Sequence, residues 1–446
     1  MSIQKPSHKQ LPSKQVRPLG FFESVLTEVF EIFPGASQMV GIASIHGLMS
    51  PEIFQNTWKL LYQKHPFLRC RVNRDNDRLS FVEDVVFEDI VIEILDSPTG
   101  EEPRASFNRH LNEPIKQHRS LWHSTMFRPS PLGDPQRWWL LLKISHSITD
   151  GLSAAMLIDD FLSVAARMER DIPINQDSFA IPEPIEQSIQ PAITLEDFMA
   201  SSEELAKPIP TPTHWPMDKY VPCESRSVHT RFEQLTPDRV ARLRDLAHEK
   251  GTTLQGVIAA ANQIATARFL GKTINLDLST PVDLRNRCKI PRSRHEMSLS
   301  VSLVPTAQPG VAPDADPWML ACDYHEILEQ NIPRLQTWPM EFTSEEIRDI
   351  ANSWSATSAV FEHGATITNL GYLSFEKEHG RFTIEHLNFM ANVCGGACPL
   401  VILVLTLPNG ELHFTFGWMA PLMSDHSANI LIDAMLGILE DMDSNT

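Results

Sequence analysis

The chain has 446 residues, with 38 Lys and Arg against 56 Asp and Glu, a formal net charge of −18. With 42% hydrophobic and 21% charged residues and a mean hydropathy of −0.17, it has the make-up of a globular protein with core material for two or three domains. The acidity argues against a nucleic acid held by its phosphates and against an anionic membrane surface, but a local basic patch would still suit a small anionic ligand.

Met1 to Pro18 is polar and basic (Lys5, His8, Lys9, Lys14, Arg17) and lacks the apolar stretch of a secretory signal, so a cytoplasmic setting is expected. Ser50-Pro51 opens a helix, with Ser as cap and Pro at the first position. His65-Pro66 closes it, and Phe67 to Val72 is predicted as a strand. Residues 82 to 94 read as β structure, and Trp138 to Ile144 as a strand buried on both faces. After Gly151, the residues Leu152, Ala155, Met156, Leu162 and Ala165 mark a helical stripe. Prolines then crowd residues 171 to 222, which predicts a connector interrupted by a short helix near 194 to 206. Thr236-Pro237 starts a helix stopped by Gly251, and an Ala-rich helix follows from Thr252 or Thr253 to Gly271. Ile274 to Leu278 is a strand. Ala397 to Leu407 is too short to span a membrane and runs into the turn Pro408-Asn409-Gly410, so it reads as a buried strand of a hairpin. The six cysteines are scattered and expected to be free thiols; Cys394 and Cys398 lack the further ligands of a zinc site, and no metal is expected.

The segment Ser145-His146-Ser147-Ile148-Thr149-Asp150-Gly151 lies between the buried strand and the helix. A strand end holds His146 on a rigid support, and histidine is suited to taking a proton near neutral pH. Asp150 suits a helix cap or a cation partner. On spacing alone His146 stays open between a general base, an ordinary strand-end histidine and a metal ligand short of partners.

These residues sit within an ordered set. Lys64-His65-Pro66-Phe67-Leu68-Arg69, the His146–Gly151 segment, Pro281-Val282-Asp283-Leu284-Arg285, Thr368-Asn369-Leu370-Gly371 and Phe416-Gly417-Trp418 follow one another along most of the chain. In content and order the set resembles the HxxxD acyltransferases of chloramphenicol-acetyltransferase-like fold. These include condensation domains of peptide synthetases, polyketide-associated acyltransferases, alcohol acetyltransferases and the BAHD enzymes.

That resemblance implies an α/β (α+β) fold of two such domains, each a mixed sheet flanked by helices, with an active-site tunnel between them. The expected limits are 1–180 for the first domain, 181–222 for the connector and 223–446 for the second. It implies that His146 is the general base, that Asp150 is structural and pairs with Arg285 beside Asp283, and that Gly151 lets backbone pass close to the thioester. It implies that Thr368 donates to the oxyanion, with Asn369, Trp418 and Ser145 in the pocket. Thr368 also reads as an ordinary strand residue, and Arg285 as a surface one. Ser145 stands where condensation domains usually carry a second His, which leans toward the polyketide-associated and alcohol acetyltransferase branch. Thr415 and Met419 break the BAHD motif at both ends.

Arg287, Lys289, Arg292 and Arg294 continue from Arg285 as a run without an acid between Asp283 and Glu296. The run suits the phosphates of coenzyme A or the acidic face of an acyl carrier protein, or it is a solvated loop. The expectation is a monomeric acyltransferase of secondary metabolism with no bound cofactor. It would move an acyl group from acyl-CoA or a carrier-bound thioester to a small-molecule hydroxyl in preference to an amine. The alternatives are cyclisation or thioester hydrolysis in the same tunnel, or a non-catalytic binding module.

Overall fold

The computed structural model describes residues 14–189, 194–206, 211–332, 338–355, 358–375, 379–392 and 395–444. Its first half runs β1 (Lys14–Pro18), α1 (Phe21–Ile32), β2 (Gln38–His46), α2 (Pro51–Lys64), β3 (Cys70–Asp75), β4 (Arg78–Glu83), β5 (Ile92–Leu95), α3 (Glu102–Asn112), β6 (Trp122–Phe127), β7 (Arg137–Ser145) and α4 (Gly151–Glu169). The connector carries α5 (Ile185–Ser188), α6 (Leu195–Ala206) and β8 (Trp215–Pro216). The second half runs β9 (Ser227–Leu235), α7 (Pro237–Glu249), α8 (Leu254–Leu270), β10 (Ile274–Asp283), β11 (Val301–Val311), α9 (Pro317–Asn331), α10 (Ser344–Ser353), β12 (Val360–Phe361), β13 (Thr366–Tyr372), β14 (Thr383–Ala391), β15 (Val401–Thr406), β16 (Leu412–Ala420) and α11 (Asp425–Ser444).

Local signals set most helix ends. Ser50 Oγ accepts from Ile53 N at 3.1 Å and caps α2. Gly271, at φ +62°, closes α8 in a left-handed turn. Three predicted strands are corrected. Pro66 to Arg69 forms a 3₁₀ turn, because Phe67 and Leu68 are both buried and a strand would send one of them outward. Strand structure therefore begins only at Cys70. The expected 82–94 β segment is split by a 3₁₀ turn at Phe87–Asp89. In the hairpin, the strand starts at Val401 rather than Ala397. Among the described residues Cys70, Cys288, Cys322 and Cys398 are free thiols, and Cys394 lies outside them.

Two mixed sheets carry the fold. One has the order β14-β2-β7-β6-β5 and the other β11-β10-β13-β15-β16-β9. In the first only β5 and β6 run parallel; in the second β13 is parallel to both β10 and β15. The apolar stripe of α4, from Leu152 to Ala165, is buried, and Phe161 packs 4.8 Å from Trp58, itself 4.9 Å from Trp122. Burying each such side chain contributes roughly 1.5–3 kcal/mol.

Sequence order and sheet membership part company at β14. It lies in the second half of the chain yet pairs antiparallel with β2 of the first. It also crosses β16: Asn388 Nδ2 donates to Thr415 Oγ1 at 3.0 Å, and a Cβ on Gly417 would lie 2.6 Å from Met390 Sδ. The glycine of Phe416-Gly417-Trp418 is thus the opening through which the crossing strand passes.

The connector is docked at Pro182, Glu186 and Ser188. Arg17 Nε donates to Pro182 O at 2.8 Å, Phe22 N to Glu186 Oε1 at 3.1 Å, and Lys289 N to Ser188 O at 2.9 Å. Glu186 is buried, and among the described residues its second oxygen is without a partner. Burial, reinforced by the Glu23 carboxylate, pushes its carboxyl up to about 7, against the opposing pull of backbone N–H groups and Arg17. Its protonated form is therefore the one the fold favours. Its contribution to stability is complete below the ordinary carboxylate range and is lost as pH rises to about 7. Glu186→Gln is expected to unfold like the wild type near pH 4 and to gain up to about 3 kcal/mol on it by pH 8, read from denaturant midpoints across that range; a constant difference would refute the assignment.

Candidate active site

The catalytic candidates are built around the junction of β7 and α4. Residues His146 to Ile148 make a single 3₁₀ turn, against which α1 packs. The His146 backbone N–H donates to Ser37 O at 3.0 Å. Ser37 itself sits at φ +59°, a left-handed conformation uncommon outside glycine. Its N–H donates to Asn392 O at 2.9 Å, and Asn392 N donates back to Gln38 O at 2.9 Å. The side chain of Gln38, fully buried, donates to His110 O and Leu111 O at 3.0 Å and to Glu113 O at 2.9 Å, and accepts from Ile115 N at 3.0 Å. Nothing local in the sequence announces Ser37 or Gln38, because their roles depend on partners 70 or more residues away.

The imidazole of His146 is half-buried. Nδ1 is buried against the turn with no hydrogen-bond partner among the described residues. Nε2 is not among the buried unpartnered atoms and has no protein hydrogen bond among the described residues. Burial lowers its pKa below the ordinary histidine value, partly opposed by the carbonyls of His146 and Thr149 and by Asp150. The shift favours the neutral ring, in which one nitrogen can accept a proton.

Asp150 turns the other way. It caps α4 by accepting from Ser153 N at 2.8 Å on Oδ1, while Oδ2 accepts from Ser300 N at 2.9 Å. Arg285 Nη2 lies 3.0 Å from Oδ1 and 2.9 Å from Oδ2. The same guanidinium donates to Asp283 Oδ1 at 2.9 Å and to Ser153 Oγ at 2.6 Å. Arg285 is 1% exposed. Burial alone would lower its pKa, but Asp150 and Asp283 outweigh that and raise it. Ser153, Ser298 and Ser300 complete this knot and were not singled out in the sequence.

The other candidates fall into three places. A Cβ on Gly151 would lie 2.8 Å from Leu370 Cδ2, so the start of α4 touches β13 beside Thr368 and Asn369. Thr368 is half-buried and its hydroxyl has no protein hydrogen bond among the described residues. Asn369 Oδ1 accepts from Gly371 N at 2.8 Å, which holds a turn with Gly371 at φ +71°. Ser145 is buried and bonded to Ser147 Oγ at 2.9 Å. Trp418 is elsewhere: its indole N–H donates to Asp425 Oδ1 at 3.0 Å, and it lines a cavity between α3, β9 and α11. The basic run divides as well. Arg287 donates to Ile332 O, Arg292 is tied to Glu183 O and Ser188 Oγ of the connector, and Lys289 and Arg294 are exposed. Among the described residues no group of His, Cys, Asp and Glu could hold a metal ion, and no helix is long and apolar enough to cross a membrane.

A condensation-domain family model matches residues 27–275, and one for the C-terminus of phthiocerol/phthiodiolone dimycocerosyl transferase matches residues 224–375. One of the linear gramicidin synthase proteins of Brevibacillus parabrevis is 23% identical over 292 residues, which cover 62% of this chain and 4% of that protein. The chain thus spans a small fraction of this curated relative. Among solved structures, polyketide synthase associated protein 5 from Mycobacterium tuberculosis is 16% identical with a TM-score of 0.71, covering 97% of this chain and 100% of that one. The trichothecene 15-O-acetyltransferase of Fusarium sporotrichioides is 11% identical with a TM-score of 0.74, covering 96% and 95%. A variant of the starter condensation domain of rhizomide synthetase, in complex with C8-CoA and Leu-SNAC, is 13% identical with a TM-score of 0.69, covering 96% and 94%. At these identities the structural likeness shows the two-domain fold.

Removing Arg285 would strand the Asp150 carboxylate in the interior. Arg285→Ala is expected to destabilise the protein by about 3–5 kcal/mol, and Arg285→Lys to recover only part of this because an ammonium cannot reproduce the fork. Chemical denaturation of the two variants checks it; a loss below about 1 kcal/mol for Arg285→Ala would show that the buried pair is not holding the halves together.

Proposed function

The chain belongs to the condensation-domain family, and from that premise we propose that it transfers an acyl group from a thioester to the hydroxyl of a small molecule, with His146 as general base. One observation carries the reading. His146 is anchored through its backbone N–H at the β7–α4 turn, and its Nε2 has no protein hydrogen bond among the described residues. Nε2 takes the acceptor proton as the acceptor oxygen adds to the thioester carbonyl. The tetrahedral intermediate then collapses, the C–S bond breaks, and the imidazolium returns the proton to the departing thiolate.

Thr368, with a free hydroxyl on the strand that Gly151 touches, is the proposed donor to the oxyanion. Asp150 and Arg285 act as positioning residues, since both oxygens of Asp150 are occupied away from substrate. The donor is proposed to be acyl-CoA or a carrier-bound thioester used as co-substrate. We read the chain as a cytoplasmic monomer of secondary metabolism, divided near the connector into its two domains. Ser145 supports a hydroxyl acceptor over an amine, because it removes the second histidine that condensation domains usually carry.

The test is incubation with a panel of acyl-CoAs and candidate alcohols, following free thiol and the mass of the acceptor. Acyl transfer adds the acyl mass, whereas cyclisation leaves the mass unchanged and hydrolysis gives free acid. His146→Ala is expected to lower the rate by about 10²–10⁴-fold, and retention of full turnover would end the general-base assignment. With its pKa below the ordinary histidine value, His146 stays deprotonated from pH 7 upward. The profile of kcat/KM should therefore be flat between pH 7 and 8, with its acid limb below about 6.5. A limb centred above pH 7 would point to a different base.

A further inference from the structure

Outside the His146 turn, the best-formed unassigned feature is the cavity of about 730 Å³ where α3 of the first half meets the β9 edge and α11 of the second. That volume is in the range of small-molecule sites. Its charge is unusual for a chain of net −18. Arg104 sits over Phe232, its Cζ 4.5 Å from the ring centroid, and among the described residues it has no carboxylate partner. Arg109 donates to Ser106 Oγ, and Glu113 is 3.9 Å away at its nearest. The cavity's other charges are answered within the fold: Arg231 by Glu233 and Asp433, and Asp425 by His229 and the Trp418 indole.

Behind this wall lie two further basic groups. Lys143, buried on β7, donates to the carbonyl of Glu113, a lining residue. His110, on the inner face of α3, is buried with both ring nitrogens unpartnered among the described residues. Burial, then Lys143 and Arg109, pushes His110 down to about 4, and burial with Arg109 lowers Lys143 to about 8, against the pull of Glu113. Burial is the larger cause of both shifts; what points to an anion is the geometry, a cavity whose wall carries Arg104 without a carboxylate partner among the described residues and Arg109 beside it.

We propose that this cavity is an anion site that holds the phosphate-bearing end of a phosphopantetheine thiol, the donor of the proposed reaction. The site joins the His146 turn through two adjacent residues. Gln38 grips the end of α3 at His110, Leu111 and Glu113, and its neighbour Ser37 holds the His146 backbone. The basic loop at 285–294 is the poorer candidate. Arg285 is bound by Asp150 and Asp283 and Arg292 by the connector, while Arg287, Lys289 and Arg294 are exposed and none of them lines the cavity. The assignment of the ligand rests on the acyl-transfer reading; the anion site itself does not.

Calorimetric titration at low salt with coenzyme A, 4′-phosphopantetheine and pantetheine tests both parts. The double variant Arg104→Ala/Arg109→Ala should weaken coenzyme A at least tenfold and leave pantetheine, which lacks phosphate, unchanged. A loss shared by phosphopantetheine places the pantetheine phosphate in the site, a source that a carrier protein also offers. A loss confined to coenzyme A places its nucleotide phosphates there instead, and overturns the pantetheine-end assignment. Arg287→Ala/Lys289→Ala should bind coenzyme A like the wild type. The proposal is overturned if the wild type does not bind coenzyme A, if the α3 variant binds it equally well, or if the loop variant is the one that loses it. Binding that depends on Arg104 and Arg109 without turnover of any thioester would keep the site and remove the acyl-transfer reading. Turnover that is indifferent to both arginines would do the reverse.

Discussion

A guanidinium taken almost wholly out of water has to be met by charge and acceptors, and Arg285 finds them on both halves of the chain. Asp150 and Ser153 come from the start of α4, and Asp283 and the carbonyl of Ser298 from the second half. Among the described residues only its Nε is left without a partner. The desolvation cost of such a pair is several kcal/mol per ion, so its net contribution to stability is small compared with the cost of breaking it. Its value lies in specification. The carboxylate that caps α4 is the same one that binds the arginine, so the helix start, the His146 turn and the loop from 284 to 300 are fixed by one set of bonds.

The remainder of α4 repeats this logic farther along. Asp159 meets His379 Nε2 at 2.5 Å, and Asp160 meets His295 Nδ1 and Lys64 Nζ at 2.8 Å. His295 and His379 belong to segments of the second half. The helix behind the candidate base is thus tied to that half at its cap and two turns later, while β14 stitches the first sheet to β16. A side chain that must hold a proton-transfer geometry to a fraction of an ångström gains from such redundant support.

What was legible in the sequence follows from which forces are local. Ser50-Pro51 and Gly271 act within one turn of chain, and the helix ends they predict are the ones observed. The His146–Gly151 segment was legible as a strand end meeting a helix because the change from continuous apolar residues to a helical stripe occurs right there. The Pro66–Arg69 turn was not, since Phe67 and Leu68 face one side for reasons of core shape alone. Nor was the second-half strand β14, whose partner β2 lies more than 300 residues earlier. Trp418 had the right neighbours in sequence and a different place in space, because the strand that holds it ends at the β9 edge. Arg104 and Arg109 look like ordinary exposed helix charges until α3 is set against β9.

The candidate histidine works without a carboxylate bonded behind it. In a Ser-His-Asp arrangement the acid bonds the imidazole and stabilises the cation that forms. Both oxygens of Asp150 are filled by Ser153 N, Ser300 N and Arg285, so it reaches the ring only through space, and Arg285 offsets much of that field. Under the proposed reaction the imidazolium would be steadied chiefly by the carbonyls of His146 and Thr149, a weaker counterpart than a full charge. Burial of the ring acts in the same direction, lowering its pKa. The consequence is a base always ready at neutral pH but modest in strength. Such a base suits a mechanism in which it never holds the proton for long. The thiolate leaving group, whose thiol has a pKa above that of the imidazolium, reclaims it as soon as the C–S bond opens.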